Sequence, residues 1–363
     1  MFKKSHKLAP TETTLTTALP PATSPWYAQL ILCCIVFVNL TIFCDIVMAQ
    51  DYLPIATRHL NPFILPYSSA AALTDSAESL QPGTMSSNIR LFIANNSIAM
   101  DKGTEQIILD GESYVTDIQF NYGYDRQWEF AVSVPIIYHN DGFLDNAIET
   151  WHDWLGLSNG RRQDFPSNEL LYQYRDNGAT QFEIDSAAGG VGDIVLSTQY
   201  HPTRFNTLDK ALTYKLDIKL PTGQAEKLTG SEAFDISLSA HALNRQMLRT
   251  LHLSLYGGAG ATYLGEGDIL PDIQNDFIYS GYLGTVWRFH PKFNLKAQID
   301  YHSAFYDSAL VALGSDSVAL YLGGTYITQK HISYELGFGE NLQTDPTPDF
   351  IIYFTINYTP THK

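Results

Sequence analysis

The chain has 363 residues, 45% of them apolar, with 22 Lys+Arg against 38 Asp+Glu and a formal net charge of −16. That apolar content excludes a disordered protein, and the acidic balance excludes nucleic-acid binding, because phosphate recognition needs the opposite sign. All three cysteines, Cys33, Cys34 and Cys44, fall in the first fifty residues, which excludes a small disulfide-stapled domain.

Lys3, Lys4 and Lys7 precede an apolar run from Tyr27 to Phe43, and Val47-Met48-Ala49 follows as a small-residue cleavage pattern. This is the shape of a secretory signal peptide over 1–49, cut after Ala49. A retained anchor is the alternative; the run is short for a spanning helix and is followed closely by Asp45. Removing the leader takes away three lysines and two acidic residues, leaving 19 basic against 36 acidic side chains, a net −17.

Residues 50–83 carry "TRHLNPFILPY", with prolines at 54, 62 and 66 and no strong period. They read as an irregular N-terminal periplasmic extension. From 84 to 359 apolar and polar residues alternate in about twelve runs. These lie near 85–97, 113–124, 127–138, 191–202, 210–221, 233–244, 248–263, 275–289, 292–305, 316–328, 331–341 and 349–359. Connections after even-numbered runs are short, such as "YDRQ", "NRQM", "FHPK" and "TQKH". Those after odd-numbered runs are longer, up to the stretch 139–190. An even strand count with tight turns at one rim and long loops at the other predicts an all-β fold, a transmembrane antiparallel β-barrel of about 12 strands. Residues 360–363 form a short tail.

Face assignment points the same way. In "ALTYKLDIKLP", Leu212, Tyr214, Leu216, Ile218 and Leu220 share one side, and Lys215, Asp217 and Lys219 the other. With the apolar parity facing lipid, aromatics collect at its two ends: Tyr122, Trp128, Tyr200, Trp287, Phe293 and Tyr326 toward the short turns, Tyr114, Tyr138, Phe234, Phe277 and Tyr301 toward the long loops. Two girdles mark two lipid interfaces. The polar parity then supplies lumen-lining candidates: Asp117, Lys215, Asp217, Lys219, Asp235, His241, Arg288, Lys296, Asp300, His302 and Glu335.

The loop 139–190 is partly helical by pattern, since Leu144, Ile148, Trp151 and Leu155 share a helical face and Gly156 suits a C-cap. Trp151, His152, Arg161, Arg162 and Asp164 are its candidates for a constriction at the mouth, against the plainer reading of a lid packed on the rim. "GGVGDIVL", Gly189 to Leu196, is followed by a strand, and Asp193 would repel phosphate, so it is a glycine-rich strand entry and not a nucleotide loop. His302 and Ser303 are neighbours in a strand and point to opposite faces, which argues against a Ser/His hydrolase. No catalytic residue, metal ligand set or cofactor is expected; His241 and His302 read as hydrogen-bonded lining.

"TRHLNPFILPY", "AIETWHDWLGLSNGRRQDFPSNELLYQY" and "GGVGDIVL" together resemble an uncharacterised Gram-negative outer-membrane β-barrel family classed as a domain of unknown function (3187 type), over Leu53 to the end. The Gly-x-Gly-Asp strand entry is also similar to barrels of aromatic-compound degradation operons. The resemblance implies an outer-membrane barrel and transfers no functional residue. The expected function is a passive channel for small solutes, in contact with outer-membrane lipid and lipopolysaccharide and built by the barrel-assembly machinery. A structural or surface-binding barrel with a plugged lumen is the alternative, and an outer-membrane hydrolase the third reading.

Overall fold

The structure, a computed structural model, describes residues 53–71, 76–142, 169–207, 209–328, 331–342 and 350–359, with backbone alone at 69–71 and 350. The leader over 1–49 and the tail over 360–363 lie outside the described residues. All those described belong to the compact unit Ile46–Lys363. Period-two alternation is realised as a single antiparallel sheet. It begins with β1 (Met85–Lys102), β2 (Glu105–Gly123) and β3 (Trp128–Asn140). A hairpin follows, β4 (Leu171–Asp176) and β5 (Ala179–Ile184), and then β6 (Ala188–Val191) and β7 (Val195–Tyr200) in line along β3. The wall continues through β8 (Lys210–Lys219), β9 (Asp235–Leu248), β10 (Leu253–Leu264), β11 (Phe277–His290), β12 (Phe293–His302), β13 (Ser317–Ile327), β14 (Ile332–Asn341) and β15 (Phe350–Tyr358). Each strand pairs with its neighbour, and β15 returns to β1 with Ser87 opposite Tyr358 and Asn95 opposite Phe350. Counting β6 and β7 as one and leaving aside the β4–β5 hairpin, this is a closed barrel of twelve strands. Closure leaves no backbone edge to be satisfied in hydrocarbon.

The two faces separate most clearly along β8 and β9. In β8, Thr213, Lys215, Asp217 and Lys219 are buried, while Tyr214, Leu216 and Ile218 are 45%, 40% and 37% exposed. Large apolar side chains such as Leu238, Leu283, Ile299 and Leu336 lie exposed around the outside. Water offers no reason for such a belt; lipid does. Aromatic pairs sit at its two edges, Trp128 against Tyr200 and Phe293 against Tyr326 at the short-turn rim, Tyr263 against Phe277 at the other. On the inside, tyrosines lie over glycines of adjacent strands. A Cβ on Gly258 would come within 2.6 Å of the Tyr282 ring and 2.9 Å of His241 Nδ1, so only glycine lets that ring lie flat on the wall.

Two stretches read as loops are sheet. The alternation of β1 and β2 continues past the expected ends to a tight turn at Gly103 and Thr104, where Gly103 takes a φ of +69°. Within 139–190, β4 and β5 form a hairpin that pairs with Glu105–Asp110 of β2 and raises the wall above the rim. Its turn is Asn177-Gly178, both at positive φ. The strand expected over 191–202 is broken after Val191, because Asp193 turns away from the ladder to serve the β8–β9 loop.

Candidate functional site in the lumen

The largest departure from expectation is the segment read as a periplasmic extension over 50–83: its described residues enter the barrel. Ile55 exchanges two hydrogen bonds with the Gln298 amide of β12, 3.1 Å each way. Thr57 Oγ1 donates to Asp300, the His59 ring meets the His302 ring edge to face at 4.6 Å, and Tyr306 Oη donates to the Phe63 carbonyl at 2.8 Å. Each pair is separated by the same 243 positions, so the segment climbs in parallel step along the inside of β12 and its following loop. The chain then turns into α1 (Leu65–Ala71), which packs against the inner faces of β8, β9 and β10. Residues 76–84 cross the short-turn mouth, where Thr213 Oγ1 donates to the Ala77 carbonyl and Arg245 pairs with Glu78 at 2.7 Å.

This plug is held by apolar burial at two levels. In the middle of the lumen Ile55, Leu60 and Leu65 pack on Phe92, Val115, Ile137, Tyr321, Ile351 and Tyr353 of the wall. Toward the long loops Phe63, Ile64 and Tyr67 pack under Ile269 and Leu270, under Phe305 and Tyr306, and under Leu313 of the short helix α2 (Val311–Gly314). Burying the side chain of a large apolar residue stabilises by about 1.5–3 kcal/mol each relative to exposure. The six plug side chains therefore outweigh the handful of hydrogen bonds, worth about 1 kcal/mol apiece. Burial drives the Tyr67 and Tyr306 phenols up, so both remain neutral donors, Tyr67 to the Ile269 carbonyl at 3.1 Å.

The polar candidates face this plug or each other. Asp117 is paired with Arg90 at 3.1 Å and accepts from Ser133; Lys215 is paired with Asp217 at 3.1 Å; Lys296 is paired with Glu335. Lys219 is completely buried between Asp235 at 2.6 Å and Asp193 at 3.2 Å, donates to the Pro66 carbonyl at 3.3 Å, and lies 5.1 Å over the Tyr67 ring. His241 bridges Ser239 and Tyr282, 2.9 Å to each. Asp300 accepts from Thr57 and from Gln298 Nε2, and His302 Nδ1 bonds the Ser303 carbonyl at 2.9 Å. Arg288 is half-buried near the short-turn rim, where its backbone N–H donates to the His252 carbonyl at 3.1 Å. Trp151, His152, Arg161, Arg162 and Asp164 lie outside the described residues.

Several residues that build the site were not among the candidates of the sequence reading. Thr57, His59 and Asn61 belong to the plug, and Asp193 organises the loop above it by accepting from the backbone N–H of Thr222, Gly223 and Ser231. Ser113 Oγ lies 2.9 Å from His139 Nδ1, with His139 Nε2 against the Leu228 carbonyl at 3.4 Å. A serine beside an imidazole is the geometry of a nucleophile and base, yet both side chains are wholly buried, sealed from any substrate.

The sequence over residues 30–359 matches the family described as "Protein of unknown function (DUF3187)". The chain belongs to that family. No curated protein matches it. Among solved structures, the COG4313 outer membrane channel from Pseudomonas putida F1 is 11% identical, covers 78% of this chain and 98% of its own, and superposes with a TM-score of 0.51, a likeness of fold. The NanC porin (7% identical, 76% and 100% covered, TM-score 0.41) and the Pseudomonas putida toluene transporter TodX (11%, 87% and 98%, TM-score 0.37) are more distant. With its closed wall and lipid-facing belt, the chain is a Gram-negative outer-membrane barrel.

Proposed function

We propose that this barrel is a channel for small solutes whose closed state is set by its own N-terminal segment. The observation that carries the reading is how the lumen is filled. The wall itself presents paired charges and amides, rows suited to water, whereas much of the filling comes from one segment, 53–71, continuous with the wall only through β1. A plug that is a distinct covalent tail can withdraw while every ladder bond of the barrel stays made. That the same fold serves as an outer membrane channel in Pseudomonas putida F1 supports the channel class. Solute chemistry is set by the rows that withdrawal would uncover, among them Gln298, Asp300, Lys296 and Glu335. A catalytic role has no support in the sealed Ser113–His139 pair.

The second reading, a structural barrel with a permanent plug, is favoured by the apolar seal of Phe63, Ile64 and Tyr67 under the long loops. Liposome swelling separates the two. Vesicles carrying a barrel that lacks 53–71 should swell in isotonic solutions of small sugars or amino acids, and vesicles with the whole chain should swell slowly. Equal, negligible swelling of both, with the shortened barrel folded, supports the structural reading.

A further inference from the structure

We propose that His59 of the plug and His302 of the wall form a proton-operated latch, which holds the plug at neutral pH and releases it on acidification. The two rings meet edge to face, centroids 4.6 Å apart, at the level where the plug's climb along β12 ends. Their protonation states are fixed from outside the pair. The backbone N–H of Asn61 donates to His59 Nδ1 at 3.2 Å, so that nitrogen is unprotonated and the ring's proton is on Nε2. His302 Nδ1 meets the Ser303 carbonyl at 2.9 Å, which only a protonated nitrogen can do, so its Nε2 is the bare one. Both Nε2 atoms are buried and without a hydrogen-bond partner.

At neutral pH the pair is thus two uncharged rings of complementary tautomer. A first added proton goes to His302 Nε2, the free lone pair, and creates a buried cation in edge-to-face contact with the neighbouring ring. Moving the His59 proton out of the way requires a proton on its Nδ1, which breaks the bond from Asn61. The first route sets an uncompensated charge against the docked plug, the second breaks a bond that shapes it, and a second proton sets two cations ring to ring.

One aromatic ring and three charged or titratable groups surround the pair. Phe305 covers both rings, 6.3 Å from His59 and 5.2 Å from His302. Asp300, one rung below on β12, accepts from Thr57 and Gln298, and as a buried carboxylate it works against release, one proton against the two of the imidazoles. Asp316 acts on His302 from the following loop, but its carboxylate accepts from Tyr301 Oη and the Ala304 N–H. Arg58, the plug's neighbouring residue, is buried and shares its surroundings with the charges of Asp117, Arg90 and Asp193. The sign follows. The docked state disfavours charged imidazole relative to the released state, so docking is full above the free histidine value of about 6.5 and weakens below it, by up to about tenfold per pH unit for each proton taken up.

The latch rests on the channel reading for its consequence but not for its test. Hydrogen–deuterium exchange of peptides covering 53–71, with the whole chain in lipid nanodiscs and rates corrected for the intrinsic effect of pH, measures docking directly. Between pH 7.5 and 5.0 the wild-type plug should lose about tenfold or more of its protection. His302→Phe, which keeps the ring contact but takes no proton, should hold its protection, and His59→Asn, which still accepts from Asn61, serves the same purpose if His302→Phe does not fold. Asp300→Asn, which removes the opposing carboxylate, should respond at least as strongly as wild type. Unchanged wild-type protection, a full response in both histidine variants, or loss of the response in Asp300→Asn would each overturn the latch. Lost protection without any current through the barrel would uphold the latch and remove the channel.

Discussion

Replacing Lys219 by Met removes the cation that bridges two buried carboxylates, and the cost can be worked from its surroundings. Lys219, Asp193 and Asp235 have no exposed side-chain surface, with Nζ 2.6 Å from Asp235 and 3.2 Å from Asp193. Asp193 keeps three backbone N–H donors when the lysine goes, whereas Asp235 is left with the N–H of Gly265. Methionine fills most of the volume, so the loss is electrostatic. Breaking a buried pair by deleting one partner costs about 3–5 kcal/mol, because the other charge stays buried and uncompensated. The lost contact of Nζ with the Tyr67 face adds about 0.5–2 kcal/mol. Urea titration of the barrel in lipid vesicles, followed by tryptophan fluorescence, measures the sum. Asp235→Asn in the Lys219→Met background should restore part of it, since an amide needs no counter-ion. A loss below about 1 kcal/mol, or a double variant no more stable than Lys219→Met, would refute the reasoning, as it would mean that water reaches the site.

Other expectations follow from the two faces and from the glycines. Leu216→Arg places a charge on the exposed side of β8 and should destabilise by about 2–4 kcal/mol near the bilayer midplane in the same titration; an effect near zero would mean that this face does not meet lipid. Gly258→Val should cost about 1–3 kcal/mol by forcing the Tyr282 ring off the wall, and Tyr282→Ala in the same chain should recover much of that loss.

Strand number, face and membrane class were all legible because they rest on a repeat of two, and Lys215, Asp217 and Lys219 alternate with Tyr214, Leu216 and Ile218 over enough residues to show it. The plug was not, for a physical reason. Leu60, Phe63, Ile64, Leu65 and Tyr67 are buried on every side, so no periodicity marks them; the available hint was a contiguous apolar run in a segment supposed to be solvated. The β4–β5 hairpin did carry a local signal, Asn177-Gly178 between alternating residues, the pair best suited to two successive positive φ values. Lumen lining was visible as polarity, but its closure by pairing was not. Which cation meets which carboxylate depends on register between strands, as with Lys296 on β12 and Glu335 on β14. His302 showed itself as an inward histidine; its partner His59 lies 243 positions away on a segment that pattern alone placed outside.

The central claim is that the lumen is a conducting path closed by residues 53–71, and single-channel recording in planar bilayers tests it most directly. The whole chain at neutral pH should be closed for most of the record, and the barrel lacking 53–71, shown to be folded by heat-modifiable migration on gels, should carry a steady ohmic current. Silence of both folded barrels would contradict the account and leave a structural barrel whose plug is never withdrawn.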